Sequence, residues 1–125
     1  FYDILYAYSG NTKKALLPNV LDTNKGLEVC SGDKEFYKEI LQEFLSLYQD
    51  STDILSEYLN HKQLNAANIL LLDIIGVAAN IGAQSLKETA INIKTKLVNN
   101  NEDYAQMQKL YKAELEKLLV TIKKY

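Results

Sequence analysis

The chain has 125 residues, enough for one folded domain and too few for two independent cores. Its 47% hydrophobic and 24% charged residues describe an ordinary globular composition and exclude a disordered one. One histidine, one cysteine, fourteen lysines and no arginine exclude an internal disulfide, a cysteine-rich zinc site and arginine phosphate forks, and the net charge of −2 argues against a nucleic-acid footprint.

Position 1 is Phe rather than Met, which points to a fragment or a processed product. Residues 1–9 alternate tyrosines with apolar residues around Asp3, the pattern of neither a signal peptide nor a membrane span. SGNTKKALLPN (9–19) reads as a linker, and the chain divides into an N-terminal segment, 1–16, and a helical domain, 17–125. A short helix is expected over about 23–29, ended by Ser31 and Gly32. Cys30 beside it is expected to be a small buried hydrophobe.

From Asp33 onward the apolar residues keep helical time. Tyr37, Leu41, Phe44, Tyr48, Leu55 and Tyr58 repeat at threes and fours, with Ser51 filling the one polar step. Asp33 is a candidate N-cap with Glu35 in the first turn. The polar cluster Asp50, Ser51, Thr52 and Asp53 either kinks this helix or splits it in two. A second helix is expected over about 64–79. A third carries Ala83, Leu86, Ala90, Ile93 and Leu97 and stops at Asn99, Asn100 and Asn101. A fourth begins near Glu102 and Asp103 and aligns Tyr104, Met107, Tyr111, Leu115, Leu118 and Ile122, with Lys123 and Lys124 suiting its C-terminal dipole. Short loops between long amphipathic helices imply antiparallel neighbours. The expected fold is all-α, an antiparallel up-down four-helix bundle with a short N-terminal helix.

The second helix is the informative one. AANILLLDIIGVAA (66–79) is apolar nearly all round. One stripe, through Ala67, Leu70, Leu71, Ile74, Val77, Ala78 and Ile81, suits a core. Another, through Leu72, Ile75, Gly76 and Ala79, follows the helical rule on a different face. Leu72 and Ile74 lie about 200° apart, so one core cannot easily bury both. Gly76 inside a helix costs about 1 kcal/mol relative to Ala, which invites a reason such as close approach of a partner. Either the helix is central and covered on all sides, or the second stripe is an exposed docking surface. The longest apolar run, 69–79, is interrupted by Asp73 and is too short to cross a bilayer, so a cytoplasmic domain without membrane contact is expected.

IGVAANIGA (75–83), followed by Gln84, Ser85 and Leu86, resembles the signature H-x-L-K-G-x-A-x-x-I-G-A-x-x-L of histidine-containing phosphotransfer (HPt) domains. Upstream, LPNVLDTNKGLEVCSGDKEFYKEILQEF (17–44) is similar to the opening segment of that family. The resemblance covers about 17–125 and implies the four-helix bundle, with the signature helix presenting its active face to solvent. Gly76, Ala78, Ile81, Gly82, Ala83 and Leu86 match the motif. Leu72 stands where the family has its phosphorylated histidine, Ile75 where it has a lysine, and Asp73 at the usual threonine position. In the family the imidazole attacks a receiver aspartyl phosphate, the lysine offsets phosphoryl charge, and the glycine leaves room for the receiver. Leucine has no lone pair and isoleucine no charge. The resemblance therefore implies a module that keeps the docking glycine and has lost the nucleophile.

FYDILYAYSGN (1–11) is similar to the last helix of a receiver domain running into a linker, which would make the parent a hybrid sensor histidine kinase. The expected function is a pseudo-HPt signalling module of a two-component phosphorelay. It docks a receiver domain, or a second copy of itself, through Leu72, Ile75, Gly76 and Ala79 without accepting phosphate. No catalytic site, metal or other cofactor is expected in this chain. Two alternatives stay open: phosphorelay through an unusual acceptor such as His61, and a purely structural dimerisation module. His61 lies near a helix boundary with Leu64, not lysine, at its i+3 position. Glu57 and His61, at i and i+4, miss the Glu-x-x-His spacing of di-iron bundles.

Overall fold

A computed structural model describes residues 20–125; the segment 1–16 and the whole of the linker 9–19 lie outside the described residues. All regular structure in the described part is α-helical. In chain order the helices are α1 (Thr23–Val29), α2 (Lys34–Tyr48), α3 (Ser51–Asn60), α4 (Leu64–Ile81), α5 (Gln84–Val98) and α6 (Tyr104–Lys124).

Side-chain caps set three of the starts. Asp22, Asp33 and Asp103 accept hydrogen bonds from the backbone N–H groups of Lys25 (3.1 Å), Phe36 (3.0 Å) and Gln106 (3.2 Å), satisfying donors that have no partner inside their helices. Left-handed backbone sets four of the ends. Ser31 and Gly32 follow α1, Lys62 follows α3, Gly82 follows α4 and Asn100 follows α5, all with positive φ.

The cluster 50–53 splits the helix and does not merely kink it: residues 49 and 50 form a turn, and α3 starts at Ser51. Apolar phase survives the break, because Phe44, Ser51, Leu55 and Leu59 are all buried. Ser51 is tolerated in that ladder because its hydroxyl meets the buried Tyr111 hydroxyl of α6 at 2.8 Å. Two expectations need correction. Tyr48 and Tyr58 are only half-buried, since Leu59 takes the core position beside Tyr58. Ala83 is buried but precedes α5 as its N-cap. Cys30 is buried.

Four helices close a ring: α3 packs on α4, α4 on α5, α5 on α6, and α6 back on α3. Helix α2 adds packing on α4 and α6, and α1 packs on α2 and α4. The core inside is built from Leu55, Leu71, Ile74, Leu86, Ile93, Tyr111 and Leu118, among others.

Candidate functional site

Helix α4 runs two residues beyond its expected end and stops at Gly82, whose φ of 87° lets the chain reverse into α5. A Cβ at Gly82 would also collide with the Asp22 carbonyl, so glycine is required there twice over. At 18 residues with a mean hydropathy of 1.7, α4 is long and apolar enough to cross a membrane by length and composition. The run 69–79 alone suggested otherwise. Ala67, Leu71, Ile74, Ala78 and Ile81 form one stripe wholly buried against the other helices, and that stripe is 28% of the helix.

Beyond the half-buried Leu70, Ile75 and Val77, the far side of α4 faces outward. Leu72 is 59% exposed and Ile69 is 63% exposed, whereas Ile74 is fully buried, as their angular separation requires. The described helices therefore do not cover α4 on all sides. Gly76 lies about 180° around the helix from Ala67, at the middle of the open face. A Cβ added there meets nothing within 4 Å, so no packing among the described residues explains this glycine. Ile75 and Ala79 are half-buried toward α5. The four residues expected to share a face thus do so, with Leu72 and Gly76 at its crest and Ile75 and Ala79 on its flank.

Two grooves border the crest. On the α5 side, Ile75 lines a groove with Ile91, Lys94, Thr95 and Val98. On the α3 side, Ile69, Leu70 and Asp73 line another with Tyr58 and Ala66. Asp73 also lies close enough to Tyr48 of α2 to help raise that phenol's pKa, second to burial itself. The contribution of α5 was missed from sequence. Ile91 (40% exposed) and Val98 (64% exposed) sit seven residues apart, out of phase with the buried series Leu86, Ala90, Ile93 and Leu97. That phase difference was the available signal.

One turn before Leu72, the side-chain oxygen of Asn68 is buried without a hydrogen-bond partner among the described residues. His61 is not brought to this face. It is the exposed C-cap residue of α3, with its backbone N–H on the Glu57 carbonyl, and precedes Leu72 by about two turns of α4. Among the described residues, no three His, Cys, Asp or Glu side chains gather as metal ligands. The face offers apolar area, an open backbone at Gly76 and flanking charges.

Comparison of the chain with protein-family models, curated proteins and solved structures found no match.

Proposed function

We propose that the chain is a degenerate HPt module that docks a receiver domain on the outer face of α4 and accepts no phosphate there. The observation carrying this reading is the open crest formed by Leu72 and Gly76 on the one helix whose sequence resembles the HPt signature. In the corresponding architecture, α2 and α3 count as one broken helix of an antiparallel up-down four-helix bundle, and α1 is its short N-terminal helix. The ring of contacts through α3, α4, α5 and α6 supports that arrangement.

Aliphatic side chains at positions 72 and 75 replace a reactive polar pair with apolar area, which favours association while removing the group that would form a phosphorus–nitrogen bond. The module would act in the cytoplasm, where receivers of two-component systems work, and its parent would be a hybrid sensor histidine kinase. A binding titration against the receiver domain of the parent polypeptide tests this directly. Leu72→Asp combined with Ile75→Lys should weaken binding while the helical circular-dichroism signal and melting temperature hold. Early melting with unchanged binding would place the stripe in the core and end the proposal. Leu72→His with Ile75→Lys should restore phosphoryl transfer from the phosphorylated receiver if docking geometry survives.

A further inference from the structure

The outer face of α4 carries opposite charges on its two flanks at similar height. Asp73 lies in the groove on the α3 side and Lys94 in the groove on the α5 side. Helices α4 and α5 run antiparallel from their connection at Gly82 and Ala83, since Ile75 meets residues of α5 comparably far from that turn. Asp73 is nine residues before Gly82 and Lys94 eleven after Ala83, which puts them about 14 Å and about 17 Å from the turn, less than one helical turn apart. Neither residue forms an ion pair among the described residues. Between them stand Leu72, Ile69 and the open backbone of Gly76.

We propose that a second copy of this chain docks on this face, with the two-fold axis running along α4. Such an axis keeps the height of every residue and exchanges left for right. Asp73 of each copy then meets Lys94 of the other, twice over, while Leu72 meets Leu72 across the axis. A two-fold axis perpendicular to α4 would instead set Asp73 flank against Asp73 flank and Lys94 flank against Lys94 flank. Charge thus selects the parallel arrangement. Gly76 lets the two α4 backbones approach where a side chain would hold them apart. The apolar crest from Ile69 to Ala79 is only about 15 Å long, smaller than the patch of a standard stable interface, so the dimer is weak and concentration-dependent. This inference uses the face of the receiver-docking reading but does not rest on a receiver.

Analytical ultracentrifugation of the 125-residue chain over a wide concentration range should show a monomer–dimer equilibrium. Asp73→Lys alone and Lys94→Glu alone should each weaken it at least tenfold, because each creates two like-charge contacts. Mixed in equal amounts, the two variants should recover close to wild-type affinity as a heterodimer, since both flanks are then complementary. Recovery on mixing also shows that each variant is folded, and circular dichroism on each alone checks it independently. A chain that stays monomeric at every concentration overturns the proposal. So does a dimer indifferent to both substitutions, or one whose loss is not repaired by mixing. Because both partners would use one face, receiver titration at concentrations where the chain is monomeric reads the other proposal separately: a monomer that binds no receiver sinks that reading and leaves this one standing.

Discussion

The Tyr37 hydroxyl of α2 donates a 2.7 Å hydrogen bond to the carbonyl oxygen of Ile81, the last residue of α4. A carbonyl at a helix C-terminus has no partner within the helix. The next one, on Gly82, is satisfied by the Asp22 N–H at 2.7 Å. The end of α4 is therefore held by α2 and by the segment leading into α1. Tyr37 also lies edge-on to Tyr125, with ring centroids 5.4 Å apart, and burial followed by Tyr125, Cys30 and Asp22 pushes its ionisation well above the ordinary range. Tyr37→Phe keeps the ring and strands a buried carbonyl. It should cost about 1–3 kcal/mol, read as a lower midpoint in urea with an unchanged slope.

Two glycines should respond to alanine in opposite directions. At Gly26 an added Cβ collides with the Tyr37 ring and comes within 2.7 Å of the Ile81 carbonyl, so Gly26→Ala should destabilise by about 1–3 kcal/mol. At Gly76 the Cβ meets nothing, and alanine is the better helix former. Gly76→Ala should therefore stabilise by about 0.5–1 kcal/mol. Thermal unfolding of the pair should give melting shifts of opposite sign, and Gly76→Ala should bind more weakly at the α4 face despite its gain in stability.

Ser51→Ala should leave the buried Tyr111 hydroxyl without its partner, at about 1–3 kcal/mol by chemical denaturation. Burial pushes the Tyr111 phenol up to about 12, Ser51 partly offsets this by its hydrogen bond, and Tyr48 adds to the rise. Folding thus favours the neutral phenol. Its contribution is complete below the ordinary value of 10.0 and is lost as pH climbs from there through about 12. Stability measured against pH should fall over that alkaline window.

On the acid side, Glu114 of α6 accepts hydrogen bonds from the Ser85 hydroxyl of α5 and, at 2.8 Å, from the Lys117 ammonium. Partial burial alone would raise its pKa. The bonds from Lys117 and Ser85, with the Lys117 charge, outweigh that and bring it below its ordinary 4.5. A lowered carboxyl pKa contributes stability above the unfolded value, lost as pH falls from 4.5 through the folded one. Ser85→Ala should flatten the dependence of stability on pH in that acidic range.

Helix positions and core phase were largely legible in the sequence, because amphipathic spacing and capping are local. Asp33 caps α2, the asparagines end α5 with Asn100 left-handed, and Met107, Tyr111, Leu115, Leu118 and Ile122 are buried on one face of α6. Less legible was what needs a partner from elsewhere in the chain. Ser51 looked like a polar interruption until Tyr111, sixty residues away, satisfied it. Ile91 and Val98 fall outside the core phase of α5, and only the packing of α5 beside α4 makes them line the groove with Ile75.

The sparse chemistry of the chain is a matter of sequence alone. The one histidine is at 61, positions 72 and 75 are aliphatic, and no folding can place an imidazole at 72. Periodicity likewise separates Leu72 from Ile74, because the helical repeat sets their angle whatever surrounds them. Which of the two stripes of α4 meets the core, and whether the other is covered, is not a local property. It depends on which helices close around α4 and on the direction they leave open. The ring through α3, α5 and α6 buries Ile74 and leaves Leu72, Gly76 and the opposed charges of Asp73 and Lys94 on the surface.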